Sequence, residues 1–218
     1  MKLDGRVAVV TGASRGIGRA IAALFEREGA RVAGCARHAA PGVEVCDVSQ
    51  AAEVARFAAS VKARLGVPDI VVNNAGLVVR AGLDALAEAD WDAVVGSNLK
   101  GTFLITRAFL GDMRAARRQA RIINVASISG RLGTAGLTAY CAAKHGVVGL
   151  TRALAEELRA DGLTVNAICP GSVDTDMLRV GMPGAKPNMT TDDIARVALY
   201  LAADAPSAMT GSCVDVFG

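Results

Sequence analysis

A serine, a tyrosine and a lysine are spaced along the chain in a way that suits acid–base chemistry. Twelve residues separate Ser127 from Tyr140, and three separate Tyr140 from Lys144. The last two fall in a stretch of helical character, so their side chains should project from one helical face, one turn apart. A phenol has an ordinary pKa near ~10, and a nearby ammonium group favours its ionised form. The spacing therefore predicts a phenol that exchanges a proton with a carbonyl or alcohol oxygen.

A glycine-rich turn near the amino terminus has the composition of a pyrophosphate site. The run from Thr11 to Gly18 reads TGASRGIG, and it lies between an apolar segment and a helical pattern. Glycine lets the chain turn sharply off a strand and lets the backbone approach an anion. The free N–H groups at a helix N-terminus favour negative charge. In this strand–turn–helix context, the turn predicts dinucleotide binding.

Each feature also has an ordinary explanation when it is taken alone. A tyrosine and a lysine four residues apart are usually a plain helix pair, Ser127 could cap a loop, and many glycine-rich runs are only tight turns. Their occurrence together in one chain favours a shared function, because the nucleotide turn and the acid–base pair serve the same kind of reaction.

Seven short apolar runs alternate with longer helical patterns. Continuous apolar runs are typical of parallel strands that are covered on both faces. The alternation predicts an α/β Rossmann fold, doubly wound, with about seven parallel strands and helices on both faces. We expect one domain over residues 1–218. The predicted strands are 7–11, 31–36, 43–46, 69–73, 121–126, 164–169 and 213–217, and the predicted helices are 18–28, 51–65, 99–118, 140–160 and 192–203.

These motifs together resemble the classical short-chain dehydrogenases/reductases, and in particular their 3-oxoacyl-carrier-protein reductase-like carbonyl reductases. The resemblance rests on the TGxxxGxG turn, the run Asn73-Asn74-Ala75-Gly76 after the fourth predicted strand, and the Ser–Tyr–Lys spacing, and it covers the chain from Gly5 to Gly218. It implies an oxidoreductase that transfers a hydride between a nicotinamide and a carbonyl or secondary alcohol.

The resemblance also implies a role for each catalytic residue. Tyr140 would be the acid/base, Ser127 would bond the substrate oxygen, and Lys144 would lower the pKa of the phenol. Asn98, which otherwise reads as a turn residue, would hold a water that links the lysine to bulk solvent.

The implied cofactor contacts are spread over the whole carboxyl edge of the predicted sheet. Asp47 would meet the adenine, the asparagine–glycine run would line the adenosine side, and the segment after Pro170 would hold the nicotinamide amide and a phosphate. The expected cofactor residues are Gly12, Ser14, Arg15, Gly16, Ile17, Gly18, Arg37, Asp47, Val48, Asn74, Ala75, Gly76, Tyr140, Lys144, Pro170, Gly171, Val173 and Thr175.

The end of the second predicted strand bears on the choice of nicotinamide. A site that prefers NAD(H) places a carboxylate there for the ribose 2′-hydroxyl, but this chain has Ala36 followed by Arg37. Arg37 and Arg15 could pair with a 2′-phosphate, or they could be solvated surface residues. We favour NADP(H), with NAD(H) as the alternative.

Composition argues against several other classes of protein. The net charge is +3 and aromatic residues make up 4% of the chain, which is unlike a nucleic-acid binder. The five cysteines are scattered, the two histidines lie near no suitable ligand set, and no apolar stretch is long enough to span a membrane, so we expect no metal site and no membrane partner. Without a signal-peptide pattern, the sequence reads as cytoplasmic.

The substrate and the assembly are less constrained. The substrate loop, around 172–190, looks shorter than in typical members of the family, and its glycines and prolines predict a mobile segment without a helix through its centre. Arg117 and Arg118 could dock an acyl carrier protein, although Asp161 weakens that idea. A non-catalytic NADP-binding sensor or scaffold remains the alternative function. Two helices carry apolar residues beyond a single core-facing stripe, namely Phe103, Phe109, Val147, Val148 and Leu150. The resemblance implies that these helices pair across a twofold axis, which predicts a homotetramer, or else a homodimer.

Overall fold

A seven-stranded parallel sheet forms the centre of the molecule. The computed structural model describes residues 1–116 and 118–218. The strands lie in the order β3-β2-β1-β4-β5-β6-β7, and each pairs in parallel with its neighbours. They are β1 (Val7–Thr11), β2 (Arg31–Ala36), β3 (Val43–Val45), β4 (Ile70–Asn73), β5 (Arg121–Val125), β6 (Thr164–Pro170) and β7 (Cys213–Val216).

Helices cover both faces of this sheet, as the apolar character of the strands requires. On one face the core contains Phe25 of the first helix and Ile194 of the last, and on the other it contains Phe57 and Phe109. The helices are α1 (Gly16–Arg27), α2 (Ala51–Leu65), α3 (Glu88–Val95), α4 (Gly101–Ala115), α5 (Thr138–Leu158), α6 (Asp176–Gly181) and α7 (Thr191–Leu199). Short π-helical segments, Gly96–Lys100 and Tyr200–Asp204, adjoin α4 and α7.

The strand order reverses between β1 and β4, and this reversal fixes where a site can form. The chain leaves β1 towards one edge of the sheet, whereas β4 and the later strands build towards the other. A crevice opens at the carboxyl ends of the strands on either side of such a switch point. The glycine turn follows β1 and the asparagine–glycine run follows β4, so both lie at this crevice.

The structure confirms the predicted fold class, but several element boundaries differ. The predicted helix 99–118 is interrupted, because a π-helical segment precedes α4 and the helix ends at Ala115. Neither α3 nor α6 was predicted from the pattern. The last helix begins at Thr191, one residue earlier than predicted. The Thr190 hydroxyl caps it by accepting a hydrogen bond from the backbone N–H of Asp193.

The apolar residues that suggested an oligomer mostly belong to the core of the chain itself. Phe109 and Val147 are almost fully buried, and Val148 is only 6% exposed. Leu150 is partly buried, whereas Phe103 is 43% exposed and carries the Arg107 guanidinium over its ring. Of the five residues, only Phe103 presents a largely uncovered apolar surface.

Candidate active site

A cavity of about 880 Å³ lies at the carboxyl edge of the sheet, at the switch point. The glycine turn lines one end, and Ser127, Tyr140 and Lys144 line the other. Such a volume is in the usual range for a cofactor or small-ligand site. One cavity therefore holds both the predicted nucleotide turn and the predicted acid–base group.

Hydrogen bonds fasten the glycine turn to the asparagine–glycine run after β4. The Thr11 hydroxyl accepts from the backbone N–H groups of Asn74 and Ala75, at 3.0 Å each, and Asn74 Nδ2 donates to the Thr11 carbonyl at 2.9 Å. Gly12 has a φ of +67°, and a Cβ atom there would lie 2.9 Å from Ala75 Cα. Any larger residue would force the two segments apart.

The first residues of α1 face the cavity immediately after this turn. Gly16 has a φ of +56°, and a Cβ there would have Thr175 Cγ2 as its neighbour at 3.6 Å. Because α1 begins at Gly16, its first N–H groups have no partner within the helix. These donors and the close backbone approach suit a pyrophosphate, so the residues present fit a dinucleotide cofactor.

The two candidate arginines are placed differently. Arg37 and His38 line the cavity directly after β2, where Ala36 is buried and carries no charge. The Arg15 guanidinium also lines the cavity, but it pairs with the Asp176 carboxylate of α6 at 3.2 Å. Both members of this pair are largely exposed, so the ion pair is weak and exchangeable.

The acid–base residues come from α5 and from the segment after β5. Lys144 Nζ lies 5.6 Å from the centre of the Tyr140 ring and donates to the Val125 carbonyl at 2.8 Å. Ser127 follows β5 and caps a short turn, since its hydroxyl accepts from Ser129 N at 3.1 Å. The nearby Ser127 hydroxyl also acts on the phenol and lowers its pKa. The α5 helix thus presents the phenol and the ammonium on one face, as the spacing predicts.

Burial sets the protonation of this pair. It raises the pKa of Tyr140 to about 12, against a smaller opposite effect of the Ser127 hydroxyl. It also lowers the pKa of Lys144 to about 8. At neutral pH the phenol is therefore protonated and the amine is mostly an ammonium. The lowering of the Tyr140 pKa that is expected from sequence requires Lys144 together with the positive nicotinamide ring of the oxidised cofactor, so it stays a prediction.

Asn98 occupies the π-helical segment before α4 and lies behind the cavity wall. Its side-chain Nδ2 donates to the carbonyls of Leu77 and Val94, at 2.7 and 2.9 Å. Its buried Oδ1 has no hydrogen-bond partner among the described residues. Gly76 permits this placement, because a Cβ atom there would meet Asn98 Oδ1. The Oδ1 acceptor of Asn98 therefore points towards Gly76 in the asparagine–glycine run.

Most of the expected cofactor residues line the cavity. Gly18 does not, because it packs against Gly12 at the start of α1. Asp47 does not either, since its carboxylate accepts from Ser49 N at 2.9 Å, and the neighbouring Val48 reaches the wall instead. The expected residues on the wall are Gly12, Ser14, Arg15, Gly16, Ile17, Arg37, Val48, Asn74, Ala75, Gly76, Tyr140, Lys144, Pro170, Gly171, Val173 and Thr175.

The first part of the substrate loop, which contains α6, lies over the acid–base end of the cavity. Thr175 caps α6 by accepting from Leu178 N at 3.2 Å, and α6 ends at Gly181 as the glycine and proline pattern suggests. Met177 of this helix brings its sulfur 3.8 Å from the Tyr140 hydroxyl. The sequence pattern did not single out Met177, although a Thr-Asp pair before it was a helix-start signal.

Arg80 is a second residue of this region that the sequence analysis missed. Its guanidinium donates to the Gly181 carbonyl at 3.0 Å and lies 3.8 Å from the Met182 sulfur. It sits in a loop between β4 and α3, where no motif marked it. Its contacts could not be read from the sequence, because they join loops that are far apart in the chain and meet at the mouth of the cavity.

Comparison with known proteins identifies the family. The family model described as short chain dehydrogenase matches residues 6–183. The chain belongs to the short-chain dehydrogenase family. It is 41% identical to a 3-oxoacyl-(acyl-carrier-protein) reductase of Pseudomonas aeruginosa, with 100% of this chain and 98% of that protein covered. It is 38% identical to an acetoacetyl-CoA reductase of Shinella zoogloeoides, with 98% and 97% covered.

Solved structures agree with this assignment. An aldohexose dehydrogenase of Thermoplasma acidophilum superposes with a TM-score of 0.91 at 28% identity, covering 99% of this chain and 93% of that one. A Brucella melitensis structure named ribose-5-phosphate isomerase also gives 0.91, at 36% identity, covering 99% and 92%. The names span several reactions, so the shared fold does not decide the substrate.

The alignment with the Pseudomonas reductase also bears on chain length. It runs over 244 positions, 26 more than the 218 residues of this chain. Segments of that relative therefore have no counterpart here.

The described part of the chain was also compared with the requirements of a membrane-spanning helix and of a metal site. No helix there is both long and apolar enough to cross a bilayer. Residues 1–116 and 118–218 contain no group of three or more His, Cys, Asp or Glu side chains arranged to hold a metal ion.

The buried lysine generates a prediction about stability and pH. Between about pH 8 and 10, Lys144 is deprotonated in the folded protein but protonated in the unfolded chain, whose lysine pKa is 10.5. The unfolded state then binds more protons, so this residue makes the free energy of unfolding rise with pH across that window, by up to about 3 kcal/mol. Above about pH 10, Tyr140 acts in the opposite direction, because its pKa is raised in the folded state.

Urea unfolding at about pH 7.5 and about pH 9.5 measures this effect. The parent protein should gain more stability over the interval than Lys144→Met, because the variant lacks the titrating group. Equal changes in the two proteins would show that Lys144 keeps an ordinary pKa.

Proposed function

We propose that the chain is an NADP(H)-dependent oxidoreductase that reduces a neutral ketone to a secondary alcohol, with Tyr140 as the proton donor. The observation that carries the proposal is the protonated, buried phenol beside Ser127 and Lys144, at the closed end of a cavity whose other end is a glycine turn. The names of the reductase relatives support the direction of the reaction.

Each residue of the site has its own role in the reaction. A bound nicotinamide would supply the hydride that is added to the carbonyl carbon. Ser127 donates a hydrogen bond to the carbonyl oxygen and holds it beside the phenol, and Tyr140 donates its proton to that oxygen as charge develops. The O–H bond of the phenol breaks as the O–H bond of the alcohol forms. The Lys144 ammonium then stabilises the phenolate left behind.

Reprotonation of the phenolate would pass through the lysine side of the site. Asn98 Oδ1 is a buried acceptor that lacks a partner among the described residues, which suits it to hold a water. The Lys144 ammonium would give a proton to the Tyr140 phenolate, and the amine left behind would take a proton from solvent through that water.

A carrier-protein partner receives no support from the basic residues first considered. Arg118 pairs with Asp69 at 3.0 Å and donates to the Val67 carbonyl, at the amino edge of the sheet and opposite the cavity. Arg114 pairs with Asp161 at 2.6 Å. Arg117 lies outside the described residues. We therefore propose a neutral ketone that is not attached to a carrier protein as the substrate.

Assembly and compartment remain predictions. We propose a homotetramer or a homodimer in the cytoplasm. Phe103 and Phe217, 43% and 41% exposed, supply apolar surface for contact between subunits, and five free cysteines suit a reducing compartment.

Removal of the phenolic hydroxyl tests the catalytic assignment. Tyr140→Phe deletes the proton donor and leaves the ring in place, so turnover of a ketone panel with NADPH should fall by about 10²–10⁴-fold. NADPH affinity, measured by fluorescence titration, should stay within about twofold of the parent, since the ring still packs at the site. A variant that keeps activity within about twofold would refute the role of Tyr140. A parent protein that turns over no ketone in the panel would instead support the non-catalytic alternative.

Cofactor choice is tested at Arg37. A charge-assisted phosphate contact at a partly exposed site contributes about 1–2 kcal/mol, so Arg37→Ala should weaken NADPH binding by roughly tenfold and NADH binding much less. Arg27→Ala is the matched control, because Arg27 is exposed on α1 and lies outside the cavity lining. Dissociation constants that favour NADH in the parent protein would contradict the NADP(H) proposal.

A further inference from the structure

Met177 lies where a substrate oxygen has to sit. Its sulfur is 3.8 Å from the Tyr140 hydroxyl, which donates to it. A thioether is a weak hydrogen-bond acceptor, and a carbonyl oxygen is a stronger one. A ketone that takes the phenol's hydrogen bond must therefore displace the Met177 side chain, and the exchange is favourable at the polar contact.

The surroundings of this contact are apolar. Tyr140 packs in a cluster with buried Val94 and Leu137 and partly buried Val78 and Met177. Charged side chains also line the cavity, among them Lys144 of α5 and both Asp176 and Arg179 of α6. Aliphatic and thioether groups thus form the part of the surroundings that packs against Tyr140.

The helix α6, which carries Met177, is anchored at its carboxyl end and not at its middle. Arg80 holds the Gly181 carbonyl, and the backbone of the same loop is tied to the loop before α5, because Ala81 N donates to the Gly136 carbonyl at 3.0 Å. A Cβ atom on Gly136 would lie 3.5 Å from the Arg80 side chain. The anchor leaves the helix in place while the unbranched Met177 side chain is free to change rotamer.

We propose that Met177 is the specificity-determining residue of this site, selecting neutral ketones with compact apolar substituents by the space that its displaced side chain leaves. This inference rests on the proposed carbonyl reduction at Tyr140. Because methionine has three rotatable bonds, the displaced side chain becomes one wall of the substrate pocket. An anionic substituent packed against the Met177 side chain would lose its hydration to a thioether and to the aliphatic groups around it.

Kinetics on a paired ketone series tests the selection. The series holds a small methyl ketone and a bulky aryl ketone, each neutral, and a carboxylate analogue of the small one. Met177→Ala should raise kcat/KM for the bulky ketone relative to the small one by at least about tenfold, chiefly by lowering KM for the bulky ketone. Room for one or two extra methylene groups in a pocket changes the preference between substrates by about that factor. Met177→Leu keeps the bulk and should leave the ratio within about twofold of the parent.

Val180→Ala is the matched control for loosening of α6. Val180 is on the same helix, is 56% exposed and does not line the cavity. A bulky-to-small ratio that rises equally in Val180→Ala, or that stays unchanged in Met177→Ala, would overturn the proposal. So would a carboxylate analogue that is turned over as well as the neutral ketone.

A second readout separates this inference from the proposed function. The chain has six methionines, so a spectrum of ¹³C-methyl-methionine protein can be assigned at Met177 by the signal lost in Met177→Leu. The Met177 signal should shift in Tyr140→Phe, which removes the hydroxyl in contact with the sulfur, and should shift again in the parent protein when the small ketone is added with NADP⁺. An unmoved signal in both cases would reject Met177 even if turnover is observed. A signal that moves in both cases without any turnover in the panel would instead reject the proposed function.

Discussion

The buried ammonium of Lys144 is the constraint on which the rest of the site depends. Transfer of a charge out of water is costly unless other groups solvate it. Among the described residues, Lys144 Nζ has the Val125 carbonyl as its hydrogen-bond partner and forms no ion pair within 4 Å. Its pKa falls to about 8 for this reason. The site is therefore preorganised for a negative charge to appear beside it, as happens when Tyr140 gives up its proton.

Buried side-chain hydrogen bonds hold the strand and the helix around this charge in place. The ends of β4 and β5 are joined by a buried side-chain hydrogen bond, in which Asn73 Nδ2 donates to Asn124 Oδ1 at 2.9 Å. Each asparagine also donates to the helix beside it, Asn73 to Thr106 and Asn124 to Thr151. The strand that offers its carbonyl to Lys144 is thus fixed to the helix that carries the phenol. Buried hydrogen bonds of this kind favour one register of helix and strand.

The sequence was sufficient to predict the parts of the site that depend on local spacing. The glycine turn, the asparagine–glycine run and the Tyr140–Lys144 pair follow from motif and helical period, and all lie at the carboxyl edge of a parallel sheet. The parts that depend on contacts between distant loops could not be predicted. Met177 and Arg80 have no motif of their own, and the raised pKa of Tyr140 comes from burial that the spacing alone does not reveal. The short helix α6, which Thr175 and Arg80 fix over the phenol, was likewise not predicted, whereas the mobility of the rest of the loop stays a prediction.

The central claim is that Lys144 and a bound cofactor together control the proton on Tyr140. The chain has two tyrosines, so in Tyr200→Phe the ultraviolet absorbance of tyrosinate reports on Tyr140 alone. In the protein without cofactor, the phenol should stay protonated to about pH 12. Saturating NADP⁺ should lower its pKa by at least about one unit, and Lys144→Met in the same background should abolish that shift. A Tyr140 pKa that is the same with and without NADP⁺, or that falls equally in the absence of Lys144, would contradict the account.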